Sequence, residues 1–205
     1  MNWRLLQLAD SAFPTGGFAH SGGLEAASQA GDVSLSRFAR EAIWQAAHGA
    51  LPLVKAAFDG ELALADARAE SFLVNHVANR ASRTQGRAFL STCSRVFSIQ
   101  LPTAGVKLHL APLWGAASKE LQLELADSQR IYLWTTVRGI LSAAVRIGLA
   151  GTLEAQTLLA GLDQPLDEAL KACGGLTLDD RAQTAPLLDL LQGTHDRLYS
   201  RLFQS

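Results

Sequence analysis

Apolar residues recur in this chain with the spacing of an amphipathic α-helix. Over residues 35–47 they fall three and four positions apart, and the same spacing returns over residues 88–97 and 131–149. Residues at these intervals share one face of a helix, so each stripe predicts a helix with one buried side. The one alternating segment, residues 106–110, is too short and isolated to build a sheet.

Weaker patterns of the same kind extend along the rest of the chain, with short breaks at glycine or proline. None of these breaks is long enough for an interdomain linker. The sequence therefore predicts an all-α fold, a bundle of roughly eight to ten helices that forms a single domain over residues 1–205. The weaker segments are residues 3–9, 22–30, 51–58, 61–77, 113–125, 153–160, 165–172 and 178–191.

The charge balance narrows the range of partners. The chain has 18 Lys and Arg against 19 Asp and Glu, a formal net charge of -1, so no overall field attracts nucleic acid or an anionic membrane. Only 18% of the residues are charged, which favours either a subunit interface or an alanine-rich core.

The cysteines and the apolar segments bear on the cellular compartment of the protein. Cys93 and Cys173 lie far apart and have no metal-binding or redox spacing, so nothing indicates an oxidising compartment. No segment has the apolar run of a secretory signal or of a membrane span. We therefore expect a cytoplasmic location.

A glycine-rich stretch near the amino terminus, ADSAFPTGGFAHSGGLE over residues 9–25, holds the first group of candidate functional residues. Two of its glycines are spaced as in a P-loop, but the lysine and the Ser/Thr that the motif needs are missing. Pro14 and the glycines restrict and shape the turn, and we expect the rings of Phe13 and Phe18 to be exposed on it. This chemistry favours a rigid recognition surface.

Two catalytic or metal-binding alternatives apply to the same stretch. The residue types of an acyl hydrolase are present, with Ser21 as the candidate nucleophile, but the stretch joins two helices, whereas a nucleophile elbow joins a strand to a helix. The five histidines have no metal-binding spacing, and only His20 lies in a turn where a labile site is a candidate. No residue is assigned a catalytic role.

Two further segments are candidates for protein contacts. Arg80, Arg83 and Arg87 share one helical face in the run NRASRTQGR, which favours a solvated face or a protein contact over nucleic acid. The tail, residues 194–205, reads THDRLYSRLFQS and is expected either to fold back on its own core or to be mobile until it docks in a partner's groove. Its contact residues are Arg197, Tyr199, Arg201, Leu202 and Phe203.

Five blocks in a fixed order carry a resemblance to a known family. They read LLQLADSAFPTGGFAHSGGLE, RASRTQGRAFLSTCSRVF, HLAPLWGAA, ILSAAVRIGLAG and LYSRLFQS. Over residues 5–205 the chain resembles the urease accessory protein F family. The resemblance implies an all-α, cytoplasmic, usually dimeric adaptor without catalysis and without a tightly bound cofactor.

The resemblance also implies partners. Members of the family bind accessory protein D, also called H, and recruit the GTPase accessory protein G; the complex inserts Ni²⁺ into apo-urease. The family's carboxylate that is linked to control of the GTPase falls on Glu25, and the terminal LYSRLF pattern, which becomes ordered against protein D/H, falls on residues 198–203. Because the signature begins almost at the first residue, we expect no amino-terminal extension of the kind that some relatives have. A direct nickel carrier, with His20 in a site shared with a second chain, stays open as the alternative.

Overall fold

The computed structural model describes residues 2–31 and 33–205 and confirms the all-α fold. Within these residues the chain forms eleven α-helices and no β-strand. Each of the eleven segments with helical periodicity overlaps one of the helices. They are α1 Trp3–Ala9, α2 Leu24–Ala30, α3 Leu35–Gly49, α4 Leu51–Phe58, α5 Leu62–Phe72, α6 His76–Phe97, α7 Leu110–Glu120, α8 Leu125–Arg146, α9 Thr152–Ala160, α10 Asp163–Cys173 and α11 Pro186–Gly193.

Helix α6 is more than twice as long as its sequence pattern predicted. It begins where the side chain of Asn75 accepts hydrogen bonds from the backbone N–H groups of Val77 and Ala78, at 3.0 and 3.4 Å. The segment predicted over residues 61–77 is therefore two helices, and Val77 belongs to the second. Gly86 lies inside α6. The carbonyl group of Leu108 packs against its Cα so closely that a Cβ at this position would be 1.9 Å from the carbonyl oxygen.

A second glycine allows α4 and α7 to cross closely. A Cβ on Gly115 would lie 2.0 Å from the carbonyl oxygen of Val54, so the two backbones touch at a point where no larger residue fits. The segment before α7 is held by Asp66, whose carboxylate accepts the N–H groups of Lys107 and His109 at 2.5 and 2.8 Å. This segment, which includes the alternating residues 106–110, forms no strand.

Two hydrophobic clusters make up the core. One is formed mainly by α1, α4, α5, α6 and α7, and the other by α2, α3, α8 and α10. Tyr132 of α8 packs against both clusters, and its burial raises the pKa of its phenol. Within the described residues, no helix combines the length and the hydropathy that a bilayer crossing requires.

The segment that follows the bundle is less regular than its sequence pattern predicted. Residues 178–191 contain a short 3₁₀ turn, Leu178–Asp180, and then a break before α11 begins at Pro186. Another 3₁₀ turn, His195–Arg197, opens the tail. This arrangement brings the end of the chain back to α2 and α6, where the candidate functional residues lie.

Candidate functional site

The tail lies against the glycine-rich loop, defined here as residues 10–23. The N–H of Gln204 donates to the carbonyl of Ala19 at 2.8 Å. The N–H and the hydroxyl of Ser21 both donate to the carbonyl of Ser205, at 2.6 and 2.8 Å. The structure thus joins the two groups of residues that the sequence singled out separately. Mobility of the tail in the absence of a partner stays a prediction.

Glu25 is the centre of this contact. It occupies the first turn of α2 and is 4% exposed. Its carboxylate accepts the backbone N–H groups of Leu202 and Phe203 at 2.6 and 3.1 Å and the Nε2–H of His195 at 3.0 Å. A buried carboxylate is stable only when its oxygens are hydrogen-bonded, so the tail satisfies Glu25 and Glu25 in turn fixes the tail.

Two imidazoles are buried in the contact between the loop and the tail. His195 is fully buried, and Nδ1 of His20 forms a hydrogen bond of 2.7 Å with the hydroxyl of Ser205. Burial lowers the pKa of His20, and the positive charge of the nearby Arg80 lowers it further. His20 is therefore neutral near pH 7. Within the described residues, Nε2 of His20 and Nδ1 of His195 are buried without a hydrogen-bond partner.

A second attachment joins the tail to α6. The guanidinium of Arg80 binds the carboxylate of Asp196 through two hydrogen bonds, of 3.0 and 2.7 Å. His76 and Arg201 approach the same carboxylate at 3.2 and 3.4 Å. The hydrogen bonds from Arg80 are the main reason that the pKa of Asp196 lies below its ordinary value. Periodicity placed Arg80 on an exposed face but carried no information about this partner.

Arg146, at the end of α8, lies between two aromatic rings. Its Cζ is 3.5 Å from the centroid of Phe18 in the loop and 4.3 Å from that of Phe203 in the tail. The guanidinium also donates to the carbonyl of Phe18. A guanidinium stacked on aromatic faces is attracted by their π electrons, and here it joins three separate parts of the chain. The sequence reasoning missed Arg146, although an arginine in an otherwise apolar helix was a signal.

The predicted exposure of Phe13 is wrong. Phe13 packs into the core, where its ring stacks on Phe97 at 5.8 Å and meets the edge of Phe89 at 6.5 Å. A large apolar ring gains more from burial than from a place on the surface, and the adjacent carbonyl of Pro14 is tied to Thr92 of α6 at 2.8 Å. His20 is covered by the tail.

The ten residues predicted to bind partners divide by exposure. Four are buried and connect the loop to the core or to the tail: Phe13, His20, Glu25 and Phe203. Six are exposed: Pro14, Phe18, Arg197, Tyr199, Arg201 and Leu202. The exposed group includes Phe18, which is 73% exposed, and Tyr199, which is fully exposed. Their role in partner binding stays a prediction.

The loop also borders a cavity of ≈ 800 Å³ against α8 and α9. Asp10, Phe18, Arg138 and Arg146 are among its lining residues. Arg138 is held in place because its guanidinium donates to the carbonyl of Ala9 at 2.9 Å and lies 4.8 Å from the ring centroid of Trp134. Within residues 2–31 and 33–205, no group of three or more His, Cys, Asp or Glu has the arrangement of a metal site.

Comparison with known proteins shows the family to which the chain belongs. A family profile described as UreF matches residues 30–163. Urease accessory protein F of Oryza sativa subsp. indica is 35% identical over 98% of this chain and 84% of its own length. The protein of the same name in Arabidopsis thaliana is 34% identical over 100% of this chain and 93% of its own. The chain belongs to the urease accessory protein F family.

The sequence similarity to the family also covers the residues of the candidate site. Urease accessory protein UreF of Mycobacterium tuberculosis is 32% identical over 98% of this chain and 97% of its own length. The profile match starts after the glycine-rich loop, but these relatives match almost the whole chain, loop and tail included. The family supports a role in urease maturation, and its members are named accessory proteins and not enzymes.

Proposed function

We propose that this chain is a non-catalytic adaptor of urease maturation. It binds accessory protein D/H, recruits and regulates the GTPase accessory protein G, and so supports the insertion of Ni²⁺ into apo-urease. It acts as a homodimer in the cytoplasm, and nickel is the cargo of the whole complex. The observation that carries the proposal is the exposed aromatic pair, Phe18 and Tyr199, presented by a loop and a tail that share one buried polar network.

The buried network supports an adaptor because it holds the loop and the tail in one arrangement in the structure. Glu25 and Ser21 hold the tail through hydrogen bonds to its backbone, so the exposed side chains project from a fixed frame. Binding then costs little ordering entropy in the main chain. Aromatic and arginine side chains dominate the energy of many protein interfaces, and this surface offers Phe18, Tyr199 and Arg201.

The hydrolase alternative loses support from the position of its nucleophile. Ser21 is fully buried, and its hydroxyl already donates to the carbonyl of Ser205. The imidazole of His20 contacts the hydroxyl of Ser205, which is equally buried. A substrate would have to displace the tail to reach either hydroxyl.

The nickel carrier remains a second candidate because two buried imidazole nitrogens have no partner. A neutral imidazole nitrogen is a good ligand for Ni²⁺, and Glu25 orients His195 as a carboxylate orients a metal-binding histidine. The positive charge of Arg80 opposes a cation here. Titration calorimetry separates the two candidates. The adaptor is expected to show no stoichiometric Ni²⁺ binding, and the carrier is expected to show stoichiometric binding by the dimer that weakens in His20→Ala.

The adaptor is tested by co-purification of the full chain with proteins D/H, G and the urease subunits. In the double variant Phe18→Ala/Tyr199→Ala, we expect recruitment and urease activation to fall by at least about tenfold, because two exposed aromatic anchors are removed. Leu64→Ala is the control, since this side chain is an exposed apolar group on α5. Full urease activation by the double variant would contradict the proposal.

A further inference from the structure

Helix α6 carries a row of three arginines beside the tail. Arg80, Arg83 and Arg87 line a cavity of ≈ 560 Å³, and Glu70 is the one acidic residue among the described residues that line it. We call this surface the arginine row. The spacing i, i+3, i+7 places the three side chains on one face along two turns of helix, about 10 Å from first to last.

Much of the hydrogen-bonding capacity of the row has no partner within the described residues. Only Arg80 binds a carboxylate there, that of Asp196. Nε of Arg83 is buried without a partner. Arg87 contacts the hydroxyl of Thr84 in its own helix, at 3.3 Å. The side chains of Arg83 and Arg87 both line the cavity, and neither has a carboxylate partner within the described residues.

Glu70 does not use these donors. Its carboxylate accepts hydrogen bonds from His109 Nε2 at 2.7 Å and Asn79 Nδ2 at 3.1 Å. These two hydrogen bonds lower the pKa of Glu70, and the charge of Arg83 contributes to the shift. Glu70 is thus ionised and moderates the charge of the row without forming a hydrogen bond to Arg83.

We propose that the arginine row is a docking site for an acidic segment of a partner protein, and that Asp196 of the tail is an internal occupant of its first position. The pair Arg80–Asp196 shows the two-point geometry that a guanidinium forms with a carboxylate. Arg83 and Arg87 are about 6 Å apart along the helix, close to the roughly 6.6 Å between alternate residues of an extended peptide. Two acidic residues at alternate positions therefore fit the two remaining arginines.

The proposal has a consequence for the tail. An acidic segment long enough to reach Arg80 competes with Asp196 for the same guanidinium. Its binding removes one attachment of the tail and leaves the one at Glu25 in place. An isolated acidic peptide is enough to test this site, so the test does not require any of the proteins named under the proposed function.

A fluorescein-labelled hexaglutamate peptide is the probe, and fluorescence anisotropy with the full-length chain is the measurement. Arg83→Gln/Arg87→Gln is expected to raise the Kd at least about tenfold, because two charge-assisted contacts are lost. The matched control is Arg40→Gln/Arg130→Gln, which removes the same charge from exposed arginines of α3 and α8. The control is expected to change the Kd less than twofold.

Asp196→Asn gives a second readout with the opposite sign. Removing the internal carboxylate frees Arg80, so the peptide is expected to bind several-fold more tightly. An unchanged Kd in Asp196→Asn would overturn the proposal that Asp196 occupies the first position of the site. The docking site itself is overturned by absence of peptide binding to the parent chain, or by an equal loss in the control pair. It is also overturned if a single-stranded oligonucleotide of equal charge binds more tightly than the peptide and depends on the same arginines.

Discussion

At the scale of single residues, the main feature of this molecule is a buried carboxylate that receives its hydrogen bonds from the far end of the chain. Glu25 and the amide of Leu202 are 177 positions apart in sequence. The carboxylate, the amide of Phe203 and the imidazole of His195 are shielded from water, so each of these groups would incur a desolvation cost if it were unpaired. The identity of residue 25 therefore matters for the structure before any partner is present.

Replacing Glu25 is expected to destabilise the folded chain. Glu25→Ala leaves the buried donors of Phe203 and His195 and the partly buried N–H of Leu202 unsatisfied, and we expect the free energy of unfolding to fall by about 3 kcal/mol. Urea unfolding measures the change. Glu168→Ala, an exposed position on α10, is the control and is expected to change stability by less than about 0.5 kcal/mol. Equal effects of the two variants would show that the network contributes nothing to stability.

The buried imidazole of His20 predicts a specific pH dependence. Its pKa in the folded chain lies below the ordinary value of 6.5, so the unfolded chain takes up the proton first as the pH falls. The stability it contributes is fully present above pH 6.5 and is lost as the pH falls toward the folded pKa, by up to about 1.4 kcal/mol per pH unit. Urea unfolding at several pH values should show that the free energy of unfolding declines less steeply with falling pH in His20→Asn than in the parent chain. Parallel pH profiles of the two proteins would contradict this.

At the scale of elements, glycines decide how closely the helices approach. Sequence periodicity predicted that helices exist and which face of each is apolar, because both depend on neighbours three and four residues away. It placed the start of α6 after Gly86, since glycine weakens an isolated helix. The contact with the carbonyl of Leu108 that requires this glycine involves a distant segment, so no local pattern could reveal it.

Glycine-to-alanine substitutions in two helices should therefore have opposite effects. In Gly86→Ala the new Cβ meets backbone at 1.9 Å, and we expect the free energy of unfolding to fall by roughly 1–3 kcal/mol despite the better helix propensity of alanine. Gly139→Ala in α8 has no atom within 4 Å of the new Cβ and is expected to gain up to about 1 kcal/mol. Thermal unfolding of both variants is the measurement, and a stabilised Gly86→Ala would refute the close packing.

At the scale of the whole molecule, the tail closes the fold onto its own beginning. It contacts α2, α6 and the end of α8 through Glu25, Arg80 and Arg146. The sequence left two alternatives open for this tail, docking on its own core or mobility until a partner arrives. In the structure the tail is packed on the chain itself, and its solution dynamics can be measured.

Amide hydrogen exchange tests whether the tail is docked in the free chain. The N–H groups of Leu202 and Phe203 donate to a buried carboxylate, so we expect their exchange to be slow in the isolated protein. In Glu25→Ala both amides should exchange at least about a hundredfold faster, because opening no longer breaks buried hydrogen bonds. Fast exchange in the parent chain that slows when protein D/H is added would instead support a tail that is mobile until it is bound.

Local sequence patterns predicted the helical class and singled out the glycine-rich loop and the aromatic and arginine residues of the tail, because each of these depends on residues close together in the chain. The three-dimensional structure was needed to show that Phe13 belongs to the core, that Glu25 receives the tail and that Arg146 lies between two rings. These contacts join residues that are distant in sequence. Their partners follow from the path of the chain, and local periodicity contains no information about that path.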